Sequence, residues 1–339
     1  MPIHLPKLIF GATTLGNLFV ARSDQEKHDL IAQWFRHMPA PVVIDSAGKY
    51  GAGLSLQVIG RELQSLGIAS NDVIISNKLG WRRVPLRSAE PTFEPGAWID
   101  IDHDAVQDIS RDGILRCWHE GNELLGNYRA SLLSVHDPDE YLAAATDADD
   151  RRRRLDDIIA AYQTLADLRD QGEASAIGVG AKDWRIIREL NQYCSFDWVM
   201  MANSFTIMNH PPELVQFIDL LASQNVAIIN SALMHGGFLT GGEYCDYRPL
   251  DPALPADAKK MKWRSDYFAA CRDLDVDPFD VAVAFGLSHR AIGSVALSTS
   301  RPDRVESLVA SVNRLFPAAV WDSLKKCGLI DPDYKITAC

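Results

Sequence analysis

"VVIDSAGKYGAG", residues 42–53, begins as one kind of structure and ends as another. Val42, Val43 and Ile44 are apolar and β-branched, and they lead into Asp45. Small residues follow, then Lys49 and Tyr50 among Gly48, Gly51 and Gly53. The run reads as a buried strand that delivers a carboxylate to its end. The glycine-rich turn after it has the backbone freedom to hold up a tyrosine.

Runs of the same kind recur along the chain: "KLIFGATTLG" (7–16), "DVIISNKLG" (72–80), "SLLSVHD" (131–137), "SAIGVGA" (175–181), "DWVMMANS" (197–204), "VAIINSAL" (226–233) and "GSVALSTS" (293–300). Most are nearly continuous apolar, as parallel strands buried on both faces are. Helical patterns separate them. Residues 24–38 carry apolar positions at helical spacing behind Ser23, a suitable N-cap, and residues 54–67 end in a glycine stop. Further helices are expected over 108–126, 151–173, 183–193, 211–225, 257–274, 278–288 and 301–316. Eight strands each trailed by a helix predict a (β/α)8 TIM barrel, a single domain over 1–339. The competing architecture is an open doubly wound sheet, which usually carries GxGxxG after its first strand. "GKYGAGLS" and "GVGAKD" both fail that spacing.

The longest irregular stretch is residues 80–108, following the third strand. In a barrel it lies on the catalytic face, and loops this long are uncommon unless functional. It contains Trp81 and Trp98 and is expected to be a substrate lid, with Trp81 as an apolar wall.

Acids outnumber bases 45 to 34, giving a net charge of −11. That field repels phosphate backbones, so no nucleic-acid partner is expected. No apolar run approaches the roughly 20 residues that span a bilayer, so no membrane partner is expected either. The first residues, "MPIHLPKLIFGATTLG", read as a first strand rather than a signal peptide. Cysteines 117, 194, 245, 271, 327 and 339 lack CxxC pairing, which fits reduced thiols in a cytoplasmic protein.

Catalytic groups of a barrel gather at the C-terminal ends of its strands. Those ends offer Asp45, Tyr50 on the following loop, Lys78 and His136. Singly, each has a plain structural explanation: a loop cap, a packed aromatic, a solvated strand end, a satisfied core histidine. Together they bring an acid, a phenol, an ammonium and an imidazole to neighbouring strands. A free phenol has a pKa near 10, too high to take a proton readily near neutrality. A nearby ammonium stabilises the phenolate, and a carboxylate can hold that ammonium. Asp45 is thus expected to anchor Lys78, Lys78 to tune Tyr50, and His136 to orient a reacting oxygen.

With these residues the chain resembles the aldo-keto reductase family, from the first strand to about residue 316. The matching pieces are "FGATTLG", "IDSAGKYGAGLSLQVIGREL", "ISNKLG", "SVHDPD", "SAIGVGAKDW", "GGFLTGG" and "SVALSTSRPDRVES". The resemblance implies that Asp45, Tyr50, Lys78 and His136 form the catalytic tetrad of an NAD(P)-dependent enzyme. It also implies that hydride moves to or from nicotinamide bound in the barrel mouth. Gly11, Thr13, Asn203, Ser231, Leu233, Gly237, Ser298, Thr299, Ser300 and Arg304 are then the expected cofactor contacts, with Trp81 and His136 facing substrate. Ser300 is expected to cap the helix that follows it, with Pro302 in its first turn.

The chain departs from many members at three places. Gly180-Ala181 stands where Ser-Asn is common after the fifth strand. Ser298 and Thr299 stand where NADPH users carry Lys-Ser, with only Arg304 kept. The nicotinamide-stacking aromatic after the seventh strand is missing, and "INSALMHGG" offers Asn230 instead. NAD is therefore expected to be used well and NADP tolerated. These features, with "HDPD", resemble the sugar-dehydrogenase branch acting on L-fucose, L-galactose or D-threo-aldoses, and the related pyridoxal 4-dehydrogenase. The expected substrate is an aldose oxidised at C1 to a lactone. Pyridoxal, a general aldehyde or ketone, and a non-catalytic channel-associated role are the alternatives. Metal-dependent hydrolases on this barrel typically open with His-x-His; the chain has none, so no metal is expected.

Overall fold

The structure is a computed structural model that describes residues 3–246 and 248–337. All eight apolar runs are strands: β1 (Leu8–Gly11), β2 (Val42–Ala47), β3 (Val73–Leu79), β6 (Leu132–His136), β7 (Ala176–Ala181), β8 (Trp198–Ala202), β9 (Ala227–Ser231) and β12 (Ile292–Leu297). They close into a barrel in the order β1-β12-β9-β8-β7-β6-β3-β2, every pair parallel. The expected single-domain (β/α)8 barrel is the fold observed.

Two kinds of burial explain the unbroken apolar runs. One residue set points inward: Ile9, Val43, Leu132, Ala176, Trp198, Met200 and Ile229 pack together as a separate cluster. The alternate set packs outward on the helices, as Phe10 does by stacking on Trp34 with centroids 5.0 Å apart. The helices are α1 (Asp24–His37), α2 (Leu54–Ser65), α3 (Arg111–Leu125), α4 (Pro138–Ala143), α5 (Ala148–Asp170), α6 (Trp184–Leu190), α7 (Pro212–Ser223), α8 (Pro255–Asp273), α9 (Pro278–Gly286), α10 (Val305–Ser311) and α11 (Ala318–Lys326). Ser23 caps α1 with Glu26 in a reciprocal capping box. No helix among the described residues is long and apolar enough to cross a membrane. Cys117, Cys194, Cys245, Cys271 and Cys327 are unpaired, the last one exposed. Cys339 lies outside the described residues.

Two expectations need correction. The stretch 80–108 is not irregular throughout. Its ends pair as an antiparallel hairpin of β4 (Trp81–Pro85) and β5 (His103–Gln107). The part between packs Phe93, Ala97, Trp98 and Ile101 with Ala52 and Ala105 into a small core of its own. It docks on the loop after β1: Phe19 N–H donates to Ala97 O at 2.6 Å and Ile99 N–H to Asn17 O at 3.1 Å. Nor does Ser300 cap a helix. Arg301 precedes a 3-10 turn, Pro302–Arg304, that leads into α10, and neither start carries a side-chain cap. Pro302 does occupy the first position of that turn. A second short hairpin, β10 (Tyr244–Cys245) with β11 (Arg248–Pro249), lies between β9 and α8.

Candidate active site

Parallel register brings the four expected groups to one rim. Ala47 pairs with Lys78, Lys78 with Ser134, and His136 with Gly180. Beyond β2 the chain takes three consecutive left-handed residues, Gly51 (φ 62), Ala52 (φ 49) and Gly53 (φ 89). Tyr50 sits just ahead of this turn, pressed so closely on Gly16 that a Cβ there would lie 2.7 Å from the Tyr50 carbonyl carbon. Glycines on both sides of the contact therefore seat the phenol at the barrel mouth.

The charges are arranged as expected. Lys78 Nζ donates to Asp45 Oδ2 at 2.6 Å and to the Ser46 carbonyl at 3.1 Å, while Ser76 Oγ donates to Asp45 Oδ1 at 3.0 Å. Lys78 Nζ stands 4.6 Å from the centroid of the Tyr50 ring. A Cβ on Gly180 would come within 2.8 Å of Lys78 Cδ. The lysine stem thus fills the space that a larger residue would need, a physical reason for glycine where serine is common. His136 meets Tyr50 edge-on, ring centroids 5.7 Å apart. Its Nδ1 is buried with no partner. Burial, with Lys78 and Lys49 nearby, holds the imidazole well below its usual pKa and so neutral.

These four residues line a cavity of about 960 Å³ at the C-terminal end of the barrel. Gly11, Thr13, Asn203, Ser231, Leu233, Gly237, Ser298, Thr299, Ser300 and Arg304 line it too. Asn203 Oδ1 is buried without a partner. It is an acceptor suited to the amide N–H of a carboxamide. Ser298, Thr299, Ser300 and Arg304 give the other end hydroxyl and guanidinium donors. The donor set fits a nicotinamide dinucleotide. Asn230 does not take the place of a stacking aromatic: it is buried outside the cavity wall, its amide donating to the Phe205 and Gly286 carbonyls.

Trp81 is a further correction. It does not line the cavity. Its place on β4 puts it behind Lys49, whose Nζ lies 4.4 Å from the ring centroid, and against Phe93. The tryptophan of this segment that faces the cavity is Trp98, stacked on Tyr50.

Sequence reasoning also passes over Lys49, which is buried on the cavity wall. Its Nζ reaches Asp137 at 2.7 Å, Glu94 at 2.8 Å and Glu140 at 3.0 Å. The available signal was "HDPDE", residues 136–140, an acid-rich strand end that calls for a cation. Phe268 of α8 and Phe279 of α9 also line the cavity, unforeseen in the sequence. Among the described residues, His235, Cys245 and Asp246 place possible metal ligands together. Both ring nitrogens of His235 are already engaged, by Thr206 at 2.8 Å and Asp246 at 2.8 Å, which makes the group a structural tie.

Comparison with known proteins bears on the family and the fold. The chain is 28% identical over 337 residues to a D-threo-aldose 1-dehydrogenase of a Pseudomonas species, covering 97% of this chain and 95% of that protein. It is 24% identical over 333 residues to a pyridoxal 4-dehydrogenase of Microbacterium luteolum, covering 94% and 93%. An L-galactose dehydrogenase of Arabidopsis thaliana is 22% identical over 308 residues, covering 90% and 84%. Among solved structures, a glycerol dehydrogenase of Gluconobacter oxydans superposes with a TM-score of 0.68 at 15% identity, covering 97% of this chain and 95% of that one. An aldo-keto reductase of Bacillus halodurans in its holo form gives 0.66 at 19% identity, covering 95% and 91%. These two show the fold. The sequence model of the aldo/keto reductase family matches residues 7–329, and with its barrel, its dehydrogenase relatives and this match the chain belongs to that family of NAD(P)-dependent oxidoreductases.

Proposed function

We propose that the protein oxidises an aldose at C1 to the lactone, with NAD as the better-used cofactor. The observation that carries this reading is the composition of the cavity wall around Tyr50. The rings of Trp98 and Phe19 line it, and so do the charged groups of Asp137 and Lys182. A sugar has C–H faces that stack on aromatic rings and hydroxyls that need donors and acceptors. An apolar aldehyde would make no use of the charged groups.

Asp45, Tyr50, Lys78 and His136 are the proposed catalytic residues. When bound, nicotinamide supplies the hydride acceptor, so that sugar and oxidised cofactor give lactone, reduced cofactor and a proton. Tyr50 takes the C1 hydroxyl proton. Lys78, held over the ring by Asp45, stabilises the negative phenolic oxygen in which Tyr50 acts. His136, kept neutral, hydrogen-bonds the same hydroxyl and orients it. Asn203 would hold the carboxamide, and Arg304 with Ser298–Ser300 the phosphate end. The segment within 80–108 covers the sugar and excludes water. The unpaired thiols accord with a cytoplasmic setting.

The test is a screen of aldoses, pyridoxal and simple aldehydes with both cofactors, following cofactor absorbance in wild type and Tyr50→Phe. An L- or D-threo-aldose should be the best substrate. Tyr50→Phe should lose about 10²- to 10⁴-fold in kcat, the range of a general acid or base, with cofactor Kd nearly unchanged. Best turnover with pyridoxal would move the substrate to that class. More than half of wild-type kcat in Tyr50→Phe would remove the phenol from the mechanism.

A further inference from the structure

We propose that Lys49 is a specificity-determining latch: through Glu94 it holds the segment 86–102, and Trp98 with it, closed over the substrate end of the cavity. This deepens the reading of that segment as a lid and rests on it.

The Lys49 side chain is 2% exposed, so it is an ammonium withdrawn from water. Burial alone would oppose its charge, but Asp137, Glu94 and Glu140 together outweigh that and hold its pKa above the ordinary lysine value. Two of these carboxylates, Asp137 and Glu140, come from the barrel rim at the end of β6 and the start of α4. Only Glu94 comes from the lid. Lys49 therefore keeps two partners whether or not Glu94 is in place, and Glu94, the one partner not on the barrel rim, is the one able to leave.

Glu94 does more than pair with a lysine. Its Oε1 takes Lys49 at 2.8 Å and lies 3.8 Å from Lys182 Nζ, while its Oε2 accepts the Trp98 indole N–H at 2.8 Å. One carboxylate thus joins a fixed barrel cation to the aromatic roof. Trp98 in turn stacks on Tyr50, centroids 5.8 Å apart. The Glu94 backbone is left-handed, φ 45, a conformation non-glycine residues keep only where surrounding contacts hold it. On the far side the segment is tied by backbone bonds to the loop after β1. Thr92 N–H and Oγ1 also tie the segment to β5 through the Asp104 carboxylate, and Glu94 supplies the charge-assisted contact that joins its Trp98 edge to the barrel rim. Lys49 does not touch the reacting atoms in this scheme. It acts on substrate through the position of Trp98.

Glu94→Gln keeps the shape and an acceptor for Trp98 but removes the charge that Lys49 holds. The probe is hydrogen–deuterium exchange of amides 86–102 in the cofactor-free protein, joined to KM and kcat for the best aldose and for a two-carbon aldehyde. Loss of a hydrogen bond to a charged group should raise exchange in this segment by about tenfold or more, with the barrel strands unchanged. KM for the aldose should rise by a similar factor, while kcat, and KM for the small aldehyde, stay within about twofold. Lys49→Met should match Glu94→Gln within the segment, and the double variant should add little to either single one. Should Lys49→Met not fold, Glu94→Gln alone decides. Unchanged exchange in Glu94→Gln overturns the latch. Raised exchange with an unchanged aldose KM removes Lys49 from specificity. If no aldose is turned over at all, the exchange measurement still reads the latch, so failure of the substrate assignment is told apart from failure of this one.

Discussion

Trp98 stacks on Tyr50 with ring centroids 5.8 Å apart and planes 28° apart. The proposed lid therefore reaches the proposed catalytic phenol itself. The same indole packs on Phe93 in the lid core, so its position depends on that core being formed. Trp98→Ala should raise KM for the best aldose about tenfold, since stacking and burial of an aromatic surface contribute on the order of 1 kcal/mol or more. Trp98→Phe should recover most of it. The control is Trp81→Ala: Trp81 lies off the cavity wall and supports Lys49 from behind. Steady-state kinetics of the three variants decide. A larger KM effect from Trp81 than from Trp98 would reverse their roles.

Gly180 and Gly178 lie on the same strand and should fail in different ways. A methyl at Gly180 would lie 2.8 Å from Lys78 Cδ, and the lysine stem can shift only by leaving Asp45 or Tyr50. Gly180→Ala should lower kcat by about tenfold or more, a fraction of a general-base contribution, with a small change in Tm. A methyl at Gly178 would lie 2.3 Å from the Trp198 ring, inside the barrel packing, where nothing can yield. Gly178→Ala should destabilise by about 1–3 kcal/mol or prevent folding. Thermal melts beside turnover rates separate the two. Wild-type kcat in Gly180→Ala would mean Lys78 can move without consequence.

How much of this was legible in the sequence follows from how far apart the interacting residues lie. The strands were readable because burial on both faces forces unbroken apolar runs, and Asp45, Tyr50, Lys78 and His136 because strand ends converge in a barrel. The β4–β5 hairpin was not. "WRRVP" and "HDAVQ" lack a clear alternation, and a long excursion separates them. The six-residue helix α4 is too short to show a helical period, and α11 lies beyond the eighth strand–helix unit, where the barrel pattern calls for no further element. Composition could say that a lid tryptophan would face the cavity, but not that it is Trp98 and not Trp81. Lys49 looked like an ordinary loop lysine because its partners come from residues 94, 137 and 140, brought to it only by the closed barrel and the folded lid.

His136 makes the protein sensitive to acid. Burial, Lys78 and Lys49 depress its folded pKa well below the usual value of about 6.5. An unfolded chain takes up a proton there as pH falls through about 6.5, while the folded chain refuses it. The unfolded state then binds more protons, and stability drops as pH falls below that point. His103, His210 and His289 are shifted the same way and add to the trend. Comparing wild type with His136→Gln isolates one contribution. Between pH 7.5 and 5.5 wild type should lose roughly 1 kcal/mol more than the variant in denaturant titrations, the worth of one refused proton over that window. Equal losses would mean that His136 is protonated in the folded state.

The proposed preference between cofactors rests on Arg304. The two dinucleotides differ by one 2′-phosphate, which wants cations, best an arginine with a lysine. Ser298 stands where the lysine is expected, and both Ser298 and Arg304 line the cavity. Asp303 adds negative charge beside them, but its carboxylate is paired with Arg301 at 2.5 Å. That pair occupies the neighbouring arginine and leaves Arg304 as the lining cation of this loop. NAD should therefore be used well, and NADP accepted through Arg304 without a strong advantage. Arg304→Ala should weaken NADP far more than NAD, since a hydrogen bond to a charged group is worth about 1.5–3 kcal/mol, roughly ten- to more than a hundredfold. Ser298→Lys should act in the opposite direction and favour NADP. The measurement is kcat/KM for both cofactors in the wild type and both variants. A wild-type preference for NADP above about a hundredfold, close to 3 kcal/mol, would show that this loop finds its phosphate charge elsewhere. An equal loss of both cofactors in Arg304→Ala would place that guanidinium on the shared pyrophosphate, away from the 2′ position.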